Sequence, residues 1–183
     1  MTALEVRLET ARLVLVPFTL ELIDALAERD RAERLLGAAI PDGWPDEELD
    51  GLLSLYADWV RGDPSVVGYG PWVIVDRDAK AVVGSAGFVG KPNDEGSVEL
   101  GFGVHPTHRN RGYASEAARA LVEWALDQPA VARVIATCDP ANLPSVRVLE
   151  KVGMVRVGEA DGQLLWETAR AGAPRVDPGV GRS

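Results

Sequence analysis

The chain predicts an α/β (α+β) fold, with a mixed, mostly antiparallel central sheet of about seven strands flanked by about four helices. Three observations lead there. Between positions 71 and 106, short β-rich runs follow one another across tight turns. From Ala114 the apolar period changes to that of an amphipathic helix. A further β-rich run follows that helix, and two strands joined through a helix are expected to lie parallel.

The elements follow in order. RLVLVPF (12–18) reads as a strand closed by Pro17, with Thr19 as N-cap of a helix in LELIDALAERD. Residues 37–51 (GAAIPDGWPDEELDG) read as a loop, before a second helical pattern at 52–62. PWVIVDRD (71–78) and AVVGSAGFVG (81–90) form a hairpin across Arg77 to Lys80, and SVELGFGVHP (97–106) continues the meander. Apolar residues at 117, 118, 121, 122, 125 and 126 define the amphipathic helix, which stops near Pro129. RVIATCD (133–139) is the parallel strand, and 144–153 is a short helix capped by Gly153. A hairpin turning at Asp161-Gly162 closes the domain. Residues 1–169 are expected to form one domain, and residues 170–183, rich in Gly, Pro and Arg, a flexible tail.

Composition excludes several classes of function. A net charge of −9 sets the field of the molecule against nucleic acid and anionic membranes. A single cysteine, Cys138, and the lack of His or Cys clustering give no metal-ligand spacing. The first residues, MTALEVRLETARL, carry Glu5 and Glu9 with no long apolar run, so neither a signal peptide nor a membrane span is expected, and the cytoplasm is the expected location.

Against this acidic background, HPTHRNRGYASEA (105–117) gathers Arg109 and Arg111 around Gly112 between a strand and a helix. A helix start offers free N–H groups and the positive end of its dipole, and a glycine lets an anion approach the backbone. A solvated basic helix start capped by Ser115 accounts for the same residues equally well. The P-loop and dinucleotide glycine patterns are both missing.

VHPTHRNRGYASEAARALVEWA resembles the acyl-CoA loop of the GNAT superfamily of N-acetyltransferases, whose pattern [Q/R]-x-x-G-x-[G/A] is met by Arg109, Gly112 and Ala114. ATCDPANLPSVRVLEKVGM (136–154) and ARLVLVPFT are similar to segments of its RimJ/RimL-like branch. Met154 stands where that branch usually has Phe, and should fill the same core space. The resemblance implies the GNAT fold and acetyl-CoA as cosubstrate, without metal. The pyrophosphate would lie on Arg109, Asn110, Arg111, Gly112, Tyr113 and Ala114, and the pantetheine arm on the strand near Phe102 and Val104. It also points to Asn142 beside the pantetheine and Ser145 near the sulfur. The same two residues fit a plain helix start, with Asn142 as N-cap and Ser145 at the third position.

Acetyl transfer to an amine needs a base, a polarised carbonyl and a stabilised thiolate. Strand alternation puts Glu99 on one face with Gly101 and Gly103, a carboxylate beside two positions without side chains. Acidic residues on this strand often act as base in the family, so Glu99 is the candidate; an ordinary exposed strand glutamate is the alternative. N–H groups near Phe102 or Val104 would hold the carbonyl oxygen where a bulge frees them. Tyr113, His105 and His108 read as packing or loop residues, and Cys138 as a buried strand residue. Trp44 and Trp59 lie in the segment that the family uses for the acceptor pocket. Asp42, Asp46, Glu47, Glu48 and Asp50 nearby suit either an amine or a solvated surface.

The expected activity is transfer of acetyl to a primary amine, on a small molecule or a protein N-terminus. A non-catalytic acetyl-CoA-binding module is the alternative. A homodimer, common among soluble enzymes, is compatible with the sequence.

Overall fold

A computed structural model describes residues 6–173. Its strands are β1 (Leu8–Glu9), β2 (Leu13–Pro17), β3 (Pro71–Asp76), β4 (Ala81–Phe88), β5 (Ser97–Val104), β6 (Arg133–Cys138), β7 (Val155–Ala160) and β8 (Gln163–Ala169). The helices are α1 (Leu20–Ala25), α2 (Arg29–Leu36), α3 (Glu47–Gly62), α4 (Tyr113–Asp127) and α5 (Leu143–Val152). The strands form one sheet in the order β1-β2-β3-β4-β5-β6-β8-β7, antiparallel except for the pair β5 and β6. The expected mixed sheet and its parallel pair are therefore present. Residues 174–183, most of the segment expected to be a tail, lie outside the described residues. Arg170 is held by its backbone to the Ala132 carbonyl at 2.9 Å and by its guanidinium to the carbonyls of Leu126 and Gln128.

Two segments fold differently from the expectation. The first helical pattern splits into α1 and α2, because Leu26 and Glu28 donate to carbonyls three residues back and tighten the chain into a turn. The loop expected over 37–51 ends early. Asp46 accepts from the Leu49 N–H at 2.9 Å, and Glu47, Glu48 and Asp50 fill the first turn of α3. Acidic residues at that end complement the helix dipole, so the cluster starts a helix and Gly51 lies inside it.

Helices cover both faces of the sheet. Ala117, Ala118, Leu121, Val122 and Ala125 of α4 and Leu149 of α5 pack with Leu13, Ile74, Val83, Phe88, Val98 and Leu100 on one face. Met154 is buried in this cluster, in the role expected of it. On the other face, Leu22, Leu36, Leu53, Tyr56 and Val60 of α1–α3 pack with Val16, Val73 and Val75. Trp72, at the start of β3, is fully buried and donates to the Gly68 carbonyl. Among the described residues, no helix is long and apolar enough to cross a membrane.

Strand β5 loses one neighbour along its length. It pairs with β6 only over Ser97–Glu99, and with β4 over Leu100–Val104. Since β6 stays with β8 through Cys138, the two half-sheets part beyond Glu99. Two glycines show what this demands. A β-carbon on Gly84 would lie 2.2 Å from the Gly103 carbonyl oxygen, whereas one on Gly101 would meet nothing within 4 Å. Gly84→Ala is therefore expected to cost about 1–3 kcal/mol by forcing β4 from β5, and Gly101→Ala to stay within about 0.5 kcal/mol of the parent protein, as measured by urea unfolding.

Candidate active site

The opening between β5 and β6 has a defined polarity. His105 donates its N–H to Val83 of β4, and the Glu99 carbonyl accepts from Val89 just after β4. Odd positions of β5 thus turn their peptide groups toward β4, and even positions turn theirs toward β6. Beyond Glu99, β6 no longer pairs with β5, so the peptide groups of Phe102 and Val104 face the opening. A bulge was the expected means of freeing them. The register with β4 is regular over Gly84–Phe88, and divergence of the two half-sheets frees them instead.

Side chains alternate the other way. Val98 and Leu100 lie in the core under α4, and Phe102 and Val104 pack against it. Glu99, Gly101 and Gly103 therefore share the opposite face, where both glycines are exposed and a β-carbon on either meets open space. The Thr137 hydroxyl donates to Glu99 Oε1 at 2.9 Å from β6. One carboxylate oxygen is thereby held across the opening.

At the C-terminal end of β5, a single turn over Pro106–His108 leads to the basic loop. Arg109 Nε donates to the Val104 carbonyl at 3.2 Å, and Arg109, Asn110 and Arg111 are exposed. Asn110 (φ +62°) and Gly112 (φ +79°) are both left-handed, a backbone shape that turns N–H groups into a concave nest. Gly112 is the N-cap of α4 and no side chain caps it. The Ser115 cap of the alternative reading is not formed, because Ser115 lies within the first turn. The N–H groups at Tyr113, Ala114 and Ser115 thus start the helix with its positive end toward the loop.

The loop is held from beneath by residues that the sequence reading did not single out. Arg12 and Glu116 form a two-pronged ion pair, with Nε and Nη2 each 2.7 Å from Oε2. Glu116 Oε1 accepts from the Thr10 hydroxyl at 2.6 Å and from the Arg12 N–H at 2.9 Å. Arg12 Nη1 also donates to the Arg111 carbonyl at 2.9 Å, and its guanidinium lies 5.0 Å over the Tyr113 ring. Tyr113 is buried and donates its hydroxyl to Asp76, so it packs, as expected, and offers the loop only its backbone. Asp76 also accepts from the N–H groups of Asp78 and Ala79. The Ala79 N–H, then the Tyr113 hydroxyl, hold its carboxyl below the usual range, while that bond to Asp76 raises the Tyr113 phenol.

The other strand of the opening ends similarly. After β6, Asn142 accepts from the Ser145 N–H at 3.2 Å and caps α5, with Pro144 in the first turn and Gly153 (φ +89°) closing the helix. The helix-start reading of Asn142 and Ser145 is realised. Because β5 and β6 are parallel, the starts of α4 and α5 both lie at the C-terminal end of the opening, the place where open α/β sheets take ligands. His105 bonds Thr107 and the Asp42 carbonyl through its ring nitrogens, a loop role. Burial, followed by the charges of Arg111 and His105, lowers the His108 pKa. Cys138 is buried, and the described residues contain no group of His, Cys, Asp and Glu suited to a metal ion.

A mixed sheet split at its parallel pair, with two helix starts at the split, is the fold of an acetyltransferase (GNAT) domain. Residues 12–155 match the acetyltransferase (GNAT) domain family, and the chain belongs to it. It is 35% identical over 151 residues to the uncharacterized N-acetyltransferase YjdG of Bacillus subtilis (strain 168), covering 82% of this chain and 90% of that one. Among solved structures, it is similar to a GNAT-family acetyltransferase from Bacillus anthracis (TM-score 0.60, 24% identity, 90% of this chain and 98% of that one). It also shares its fold with RimL, a ribosomal alpha-N-protein acetyltransferase in complex with coenzyme A (TM-score 0.63, 14% identity, 90% and 98% covered).

Burial alone would raise the Glu116 carboxyl, but the bonds from Thr10 and Arg12 outweigh it and hold the group below its ordinary value of 4.5. A depressed carboxyl stabilises the fold fully above the unfolded value, and that contribution is lost as pH falls through the lower folded value. Glu116→Gln is therefore expected to lower the unfolding temperature at neutral pH and to flatten the loss of stability below pH 4.5. Thermal unfolding across pH measures both.

Proposed function

We propose that the protein is an acetyl-CoA-dependent N-acetyltransferase that moves an acetyl group directly to a primary amine. The observation carrying this reading is the edge of β5 at Phe102 and Val104, which runs between Glu99 and the uncapped start of α4. Among the described residues that edge is left without a neighbouring strand, and only the Val104 carbonyl is met, by Arg109. A pantetheine arm is an amide chain that can pair with such an edge, and a pyrophosphate suits a left-handed loop feeding a helix dipole. The residues present fit acetyl-CoA on both counts. Arg109, Asn110, Arg111, Gly112, Tyr113 and Ala114 would hold the pyrophosphate, with Tyr113 contributing only its backbone.

Bound there, acetyl-CoA supplies a thioester open to attack from the face of Glu99. Glu99, fixed by Thr137, takes a proton from the incoming ammonium, directly or through a water, and frees the nitrogen lone pair. The N–H groups of Phe102 or Val104 stabilise the carbonyl oxygen as the C–N bond forms. The C–S bond then breaks, the extra proton of the new amide nitrogen passes to the departing thiolate, and Ser145, with the N-terminal end of α5 behind it, donates a hydrogen bond to that sulfur. Asn142 holds that helix start beside the arm. The sequence segment 136–154 and the shared fold with RimL support a RimJ/RimL-like place within the family, and an acceptor that is a small-molecule amine or a protein N-terminus.

Glu99→Gln is expected to lower kcat by about 10²–10⁴-fold with KM for acetyl-CoA little changed. Free CoA, followed with a panel of amines, measures it. Tight acetyl-CoA binding with no acceptor-dependent release from the parent protein would instead identify a binding module. Arg12→Lys cannot span Glu116 and the Arg111 carbonyl together. It is expected to raise KM for acetyl-CoA about tenfold, or about 1.4 kcal/mol, with KM for the amine unchanged, in steady-state kinetics with each substrate varied.

A further inference from the structure

Val89, beside Glu99, and Trp59 and Leu55 of α3 are exposed apolar side chains that neither core uses. Val89 donates its N–H to the Glu99 carbonyl at 3.0 Å. It continues the register of β4 with β5, so its side chain stands next to that of Glu99 on the same face, and it is 60% exposed. The next residue, Gly90, carries Trp59 above it. The indole lies 4.0 Å from where a β-carbon on Gly90 would be, and Trp59 is 44% exposed. Leu55, one turn earlier on the same side of α3, is 61% exposed. Leu49, Leu53, Tyr56, Ala57 and Val60 supply the buried face of that helix, so Leu55 and Trp59 are surplus to its packing.

The charges around these side chains are distributed unevenly. Glu99 is the carboxylate beside Val89. Past Gly90, Lys91 places its ammonium 2.6 Å from Asp63. The acidic residues of the 42–50 stretch, which suited a cationic acceptor, are partly used within the fold: Asp42 pairs with Arg29 at 2.9 Å and Asp46 caps α3. The carboxylates near these side chains, Asp63 and Asp58, are already paired with Lys91 and Arg61, so a second cation on an acceptor would meet a neutralised pair.

We propose that the acceptor is a primary amine with a single charge and an apolar group close to its nitrogen, and that Trp59 sets this preference. The nitrogen lies at Glu99, and the apolar group covers Val89, Trp59 and Leu55. This rests on the acetyl-transfer reading above. An arylalkylamine and a peptide beginning with a large apolar residue share the required chemistry.

The test follows CoA release from acetyl-CoA with matched acceptors: phenethylamine against ethanolamine, peptide amides beginning with Phe against Ser, and spermidine. The expected result is a kcat/KM about tenfold or more higher for the apolar member of at least one pair, and spermidine below it. Whichever pair shows the preference identifies the source of the acceptor. Trp59→Ala should bring that ratio toward one and Trp59→Phe should restore most of it, with unfolding temperatures confirming that both variants are folded. No preference for the apolar member in either pair, faster turnover of spermidine than of every apolar acceptor, or a ratio that Trp59→Ala leaves unchanged, overturns the inference while leaving acetyl transfer in place. Acetyl-CoA binding without release to any amine overturns both.

Discussion

Strand β5 stays bonded on its β4 side from Glu99, which accepts from Val89, through Val104, but pairs with β6 only as far as Glu99, and the loss of that neighbour creates the opening on which the site is built. Backbone polar groups in a protein interior must find partners. A strand end that turns two peptide groups toward an absent neighbour is a place where another amide chain can take that neighbour's part. The same divergence brings the starts of α4 and α5 to one end of the opening, because parallel strands finish on the same side. Glu99 sits at the last paired position, bonded to Thr137 of the neighbouring strand and next to the open space over Gly101 and Gly103.

The basic loop needs separate support, because few of its residues reach the core. That support comes from the start of β2. Arg12 holds the Arg111 carbonyl with one nitrogen and Glu116 with the others, while the Tyr113 ring lies beneath its guanidinium and Asp76 anchors the Tyr113 hydroxyl. An exposed ion pair by itself stabilises a fold little. Here the value lies in position, since a planar guanidinium with several donors fixes a carbonyl, a carboxylate and an aromatic ring relative to one another. The left-handed turns at Asn110 and Gly112 are thereby set directly before the helix start.

Charge is divided between these regions according to the work each does. The molecule carries −9 overall, yet Arg109 and Arg111 stand exposed where an anion would bind. The acidic run at the start of α3 complements the dipole of that helix. On the side of α3 toward Gly90, Trp59 and Leu55 are exposed apolar residues. The two ends of the opening therefore differ in kind, basic and rich in backbone N–H groups at one end, carboxylate and apolar at the other.

Much of this was legible from local pattern. Alternation in SVELGFGV put Glu99 with Gly101 and Gly103 and Phe102 with Val104, and the structure keeps both sets. The spacing of Arg109, Gly112 and Ala114 marked the loop, and Asn142, Pro144 and Gly153 marked the ends of α5. These signals are short-range, set by the pleat of one strand or the cap of one helix. The early start of α3 was masked by the loop-like composition around Gly51, although Asp46 with an acidic first turn is itself a local start signal. The bond from Thr137 to Glu99, the grip of Arg12 on Glu116 and on the Arg111 carbonyl, and the approach of Trp59 to Gly90 join residues 31 to 104 positions apart. No local periodicity encodes such contacts. The sequence by itself determined which residues could bind an anion and carry a base; the tertiary structure alone decided that β5 and β6 part at Glu99, because the divergence of two half-sheets belongs to the packed assembly and not to either strand.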